Sequence, residues 1–153
     1  IGDKRQLERA KAILKLNLEI FHVPDSSKAK FKSGTIDVID LALLASDIPY
    51  GKVSAAAGEA AYRYIELSIK LALQGAIDAI CTTPINKEAL NAAGHHFPGH
   101  TEILAALTGT AEVSLTLFSP KLRIIHVTAH MGLLDAIERI DVPLVERTIA
   151  RGR

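Results

Sequence analysis

Residues 54–81 constrain the fold more than any other part of the chain. Ser54 suits an N-cap, and Gly75 sits where a C′ glycine belongs. Between them Ala57, Ala61, Ile65, Ile69 and Leu73 recur about every four residues, which predicts a long helix with one apolar stripe. The run Ile77-Asp78-Ala79-Ile80-Cys81 behind it reads as a buried strand. A striped helix must bury that stripe, and a strand must pair, so layered α and β structure is required.

The same alternation runs through the chain. A strand end at Ile1-Gly2-Asp3 leads into a predicted helix over 4–16, a strand over 18–23, a Ser- and Lys-rich loop to Gly34, and a second strand over 36–41. Asp37 and Asp40 argue against that second strand. A turn around Pro49, a short helix over 86–93 ended by Gly94, and a helix over 101–107 follow. For the latter, Thr101 or the residue before it is the expected cap. Val113, Leu115 and Leu117 alternate with Ser114 and Thr116 as a half-buried strand. Beyond Ser119-Pro120-Lys121, residues 122–127 return as its hairpin partner. Helices are predicted over 133–139 and after Pro143, with Asp141 as cap. The fold class is α/β with one antiparallel excursion, without internal repeats.

At 153 residues the length fits one domain with a sizeable core. A hydrophobic share of 48% with 23% charged residues excludes a disordered tail. A net charge of +1 gives no sign of nucleic-acid binding, and the Lys28, Lys30, Lys32 patch reads as a solvated loop. Cys81 is the lone cysteine, so no internal disulfide forms and a cytoplasmic home is expected. No apolar stretch reaches membrane-spanning length. Both ends of the sequence lack the polar composition of natural termini, and the chain reads as part of a longer protein.

Candidate chemistry concentrates in residues 80–110. Asn86-Lys87 and His100-Thr101 stand at two predicted helix starts, where free backbone N–H groups favour an oxyanion. Gly99 permits close backbone approach to a ligand. His130 ends an apolar strand-like run and offers imidazole to a divalent metal, although one histidine is not a site and no HxH, HExxH or CxxC spacing supplies partners. Glu102 either orients His100 or favours the positive end of its helix. His95 and His96 read as exposed loop residues, His126 as structural, His22 as uninformative, and Cys81 as buried and inert. Neither GxGxxG nor GxxxxGK[ST] occurs, so no Rossmann fingerprint or P-loop is present. The residues themselves lead to an α/β domain contributing to an anion and metal site. A non-catalytic anion-binding module stands beside the enzyme reading.

Thr83-Pro84-Ile85-Asn86-Lys87, Gly99-His100-Thr101-Glu102 and Val127-Thr128-Ala129-His130, in that order, resemble the 4-hydroxythreonine-4-phosphate dehydrogenase (PdxA) family of vitamin B6 biosynthesis. The resemblance implies a three-layer αβα, isocitrate/isopropylmalate-dehydrogenase-like fold, of which this chain would be a central fragment. It also implies a homodimer with the active site at the interface, and NAD-dependent oxidation, with decarboxylation, of a phosphorylated hydroxy acid, most readily 4-phosphooxy-threonine. A divalent metal (Zn, Mg or Co) would take part. His100 and Thr101 match the substrate-binding pair, Asn86 and Lys87 the neighbouring turn, and His130 the first of three metal-binding histidines. The other two, and the NAD-binding residues, are expected outside these residues, so the piece alone should be inactive. Two departures stand out. Ala129-His130-Met131-Gly132-Leu133 replaces the more usual Thr-His-Leu-Pro-Leu, and Asn86 stands where the biosynthetic branch can carry His. The second fits a catabolic branch acting on phosphorylated threonate or erythronate.

Overall fold

The apolar stripe of residues 54–73 does form a helix, and it organises everything packed around it. The computed structural model describes residues 1–153, which divide into two compact units, Ile1–Gly109 and Thr110–Arg153. In the first unit the order is α1 (Lys4–Leu14), β1 (Glu19–His22), β2 (Thr35–Val38), α2 (Ala55–Leu73), α3 (Lys87–Ala92) and α4 (His100–Thr108). Ser54 caps α2 by accepting the Ala57 N–H at 3.5 Å, and Gly75 takes the left-handed φ of +69° just beyond its end.

The buried face of α2 is Gly58, Ala60, Ile65 and Ile69. Ala57 and Ala61 are only half-buried, and Leu73 is exposed, so the stripe is shifted from the predicted one at both ends. Gly58 explains the shift. A Cβ there would lie 2.0 Å from the Ala89 carbonyl oxygen, so α3 approaches α2 to backbone contact on that side. Ile65, Ile69, Leu90 and Ile103 then close one core, with Leu90 and Ile103 fully buried. The starts of α3 and α4 are therefore carried by helices anchored to the same core.

β1 and β2 pair in parallel, in the register Glu19↔Thr35 to His22↔Val38. Gly2 adds a parallel bridge to Asp40, with its N–H donating to the Ile39 carbonyl at 3.1 Å. The acids that weakened the second strand as a prediction tie the surrounding loops. Asp37 Oδ2 accepts the N–H groups of Lys30 and Phe31, and Asp40 Oδ1 those of Lys4 and Ala42. Asp3, itself buried, accepts those of Leu43 and Leu44.

Residues 77–81 do not form the predicted buried strand. Ile77 and Ile80 are half-buried, Ala79 and Cys81 are exposed, and no ladder includes them. A groove of about 300 Å³, lined by Ile1, Thr35, Asp37 and Ile39 on one side and Ile77, Ala79, Ile80 and Cys81 on the other, separates them from β2. Without an adjacent strand the segment has no pairing partner.

The second unit holds β3 (Thr116–Phe118) antiparallel to β4 (Arg123–Ile125), then α5 (Leu133–Arg139) and α6 (Val142–Arg151). The hairpin is present but short and exposed on both faces, with Leu117 51% and Phe118 67% accessible, so its predicted half-burial is not seen. Ser119 fastens the turn by accepting the Leu122 N–H at 3.0 Å. Asp141 caps α6 through the Leu144 N–H at 2.7 Å, with Pro143 in the first turn. Glu112 pairs with Arg147 and Arg151; desolvation pushes its carboxyl up, and the hydrogen bonds and charges of the two guanidinium groups together outweigh that and hold it below the usual range. No helix is long and apolar enough to cross a membrane.

Candidate functional site at two helix starts

The starts of α3 and α4 differ in how their free N–H groups are met. At α3, Asn86 is the cap. Its Oδ1 accepts the Ala89 N–H at 2.8 Å, which leaves the Nδ2 amide as a donor. Lys87 is the first helical residue, and both side chains are exposed. An amide donor and an ammonium group thus stand together on the surface.

At α4 the cap is Gly99, extended at φ −178° and ψ −168°, and no side chain bonds the first-turn N–H groups. The expectation that Thr101 or its predecessor caps this helix is corrected. His100 and Thr101 are already inside the first turn, so the Thr101 hydroxyl points from an exposed helical position. His100 has the least satisfied environment of the candidates. Its Nε2 is buried and has no hydrogen-bond partner. Glu102 lies against the helix start, its Oε2 3.4 Å from where a Gly99 Cβ would be. A carboxylate at that point already uses part of the positive helix end, so an anion arriving there depends on the imidazole for its recognition.

His95 was expected to be an exposed loop residue and is not. Its ring stacks on Tyr62 with centroids 3.6 Å apart and planes 10° from parallel, and its Nε2 lies 2.6 Å from Glu59 Oε2. Glu59 Oε1 accepts from Arg63 at 2.7 Å, and Arg63 also reaches Glu66 at 2.8 Å. The His95 hydrogen bond, then that of Arg63, holds the Glu59 carboxyl below its ordinary range. The two carboxylates raise the Arg63 guanidinium in turn. Glu59 and Tyr62 are three apart on one helix face, which is a legible pattern, but their partner 33 residues after Tyr62 is fixed only by the packing of α2 on α3. His96 is exposed as predicted.

His130 belongs to the second unit. β4 ends at Ile125, so His130 stands five residues beyond a strand that is itself exposed, not at the end of a buried one. Its φ of +57° is left-handed, a conformation uncommon outside glycine and enriched at functional positions. No group of three or more His, Cys, Asp or Glu side chains is arranged to hold a metal ion. These residues supply one metal donor and do not compose a metal site by themselves.

Fold and site define an α/β chain that presents two polar helix starts on a shared core. The sequence matches the family described as pyridoxal phosphate biosynthetic protein PdxA over residues 1–152. It is 57% identical over 152 residues to D-threonate 4-phosphate dehydrogenase of Cupriavidus necator, covering 99% of this chain and 46% of that protein. It is 42% identical over 143 residues to 4-hydroxythreonine-4-phosphate dehydrogenase of Beijerinckia indica, covering 94% and 42%. The crystal structure of a 4-hydroxythreonine-4-phosphate dehydrogenase from Burkholderia phymatum superposes with a TM-score of 0.94 at 55% identity, covering 99% of this chain and 46% of that one. The chain belongs to the PdxA family, and it spans a little under half the length of these relatives.

Proposed function

We propose that this chain forms the substrate-anion part of a dehydrogenase that oxidises a phosphorylated hydroxy acid with NAD, and that His100 is the residue that receives the substrate's anionic end. The observation that carries this reading is the buried, unpartnered Nε2 of His100 at a helix start that no side chain caps. An imidazole nitrogen shielded from water costs free energy unless a ligand pairs with it, and a phosphate or carboxylate supplies that pairing. Lys87 and the Nδ2 of Asn86 add a second cationic and donor group at the start of α3, and Thr101 adds a hydroxyl.

The substrate favoured here is D-threonate 4-phosphate. The relative of that name is 57% identical, and relatives named for 4-hydroxythreonine 4-phosphate are 55% and 42% identical, so the preference for the D-threonate branch does not rest on identity. The Asn at position 86 supports the same branch. Oxidation would remove hydride from the secondary alcohol to the nicotinamide and release its proton, and the 3-oxo acid so formed would lose carbon dioxide. A divalent metal, Zn, Mg or Co, with His130 as one ligand, belongs to the proposal. Because these residues provide a single donor, no step is routed through it. The three-layer αβα architecture, the homodimer with an interfacial site and a cytoplasmic location are parts of the same proposal.

The test is NADH formation by the full-length protein, supplied with each metal in turn, from D-threonate 4-phosphate and from 4-phosphooxy-threonine. Turnover of the first at higher kcat/KM supports the reading. Turnover of the second alone would move the chain to the biosynthetic branch, and binding of both acids without NADH formation would favour a non-catalytic anion-binding module.

A further inference from the structure

The α4 start has no side-chain cap of its own, so something else must fix where its first turn points. Ile103, fully buried, anchors the helix axis but lies a turn beyond His100. The connection from α3 is the remaining control. It leaves α3 through Gly94 at φ +90°, with the His95 N–H on the Leu90 carbonyl at 3.0 Å, and closes a tight turn in which the Phe97 N–H donates to the His95 carbonyl at 3.1 Å. His95 and Phe97 both lie over Tyr62, their ring centroids 3.6 and 6.2 Å from that of Tyr62. Glu59 supplies the polar tether from α2 to this connection, and Arg63 holds its second oxygen. A charge-assisted bond of 2.6 Å with an aromatic stack beneath it fixes a ring in both position and tilt.

We propose that Glu59, His95 and Tyr62 are positioning residues, a clamp on the α3–α4 connection that holds the first turn of α4 so that His100 meets the substrate's anionic group. This rests on the reading of His100 given above. None of the three needs to touch substrate. Their effect runs through Pro98 and Gly99 to the imidazole, and a displacement of about 1 Å at a binding group is enough to lower kcat/KM substantially.

Full-length protein carrying ¹⁵N-labelled histidine tests this, with the His100 ring signal assigned by its loss in His100→Gln. Glu59 is 41% exposed, so Glu59→Ala removes no core side chain and the variant should fold. Glu59→Ala and His95→Ala should shift the His100 ring signal in the absence of substrate. They should also raise KM for D-threonate 4-phosphate about tenfold with kcat within about twofold. Glu59→Gln keeps an acceptor for the His95 N–H and should restore both readouts. An unmoved His100 signal with unchanged KM in folded Glu59→Ala would overturn the clamp, as would Glu59→Gln behaving like the alanine variant. Failure of the wild-type protein to oxidise either phosphorylated acid would sink the functional reading instead. The His100 signal would then decide the clamp separately, since it needs no turnover.

Discussion

Two helix starts on one core have opposite economies. At α3 the cap is supplied from within: Asn86 spends its oxygen on the Ala89 N–H, and only its amide and the adjacent Lys87 face outward. At α4 the cap is glycine, no side chain serves the first turn, and His100 keeps a buried nitrogen without a partner. The first start is stable without a ligand. The second leaves a buried nitrogen without an internal partner, and the proposed roles of His100 as the point of recognition and Asn86-Lys87 as its support rest on that difference.

The comparison depends first on both helices being docked on α2. Gly58→Ala strikes that docking, because its Cβ would press to 2.0 Å from the Ala89 carbonyl. Overpacking against backbone costs about 1–3 kcal/mol or more, and a thermal melt should show it as the largest loss of stability among these variants. An unchanged melt would mean that α2 and α3 are not in backbone contact.

His100→Ala should act the other way, on function and not on the melt. Loss of a hydrogen bond to a charged group is worth about 1.5–3 kcal/mol, roughly ten- to a hundredfold in kcat/KM, read by steady-state kinetics of the full-length protein. Removing an imidazole nitrogen that has no internal partner should leave stability nearly unchanged.

Asn86 separates its two duties by substitution. Asn86→Ala should cost about 1 kcal/mol through loss of the cap. Asn86→Asp keeps an oxygen for the Ala89 N–H and favours the helix dipole, so the melt should hold or rise, while the added negative charge should raise KM for an anionic substrate. Equal KM in Asn86→Asp and wild type would remove Asn86 from the site.

The smallest effect concerns Glu59. His95 and Arg63 depress its folded-state pKa, so its stabilising contribution is present above the unfolded carboxylate range and lost as pH falls through the lower folded value. Acid titration of the melt should therefore bring wild type and Glu59→Gln together at low pH and separate them slightly near neutrality. A gap that widens toward acid would contradict the sign.

Much of this was legible because it is local. Ser54, Gly75, Asn86, Gly94 and Asp141 mark helix ends by side-chain or backbone preference within a few residues, and the elements appear where those residues put them. What could not be read depends on distant partners. Residues 77–81 have the composition of a buried strand, yet pairing needs a neighbour, and a groove stands in its place. Gly99 displaced Thr101 as cap because an extended glycine can open a helix without any side-chain bond. His95 looked like a loop histidine because neither Glu59 nor Tyr62 is near it in sequence. His130 was placed at a strand end because the apolar run continues past Ile125, where the ladder stops.

The central claim is that His100 receives the substrate's anionic end. Isothermal titration calorimetry of D-threonate 4-phosphate into the full-length protein, wild type and His100→Ala, tests it most directly. The account expects the variant to bind about ten- to a hundredfold more weakly at an unchanged melting temperature. Equal affinity in the two proteins would contradict it.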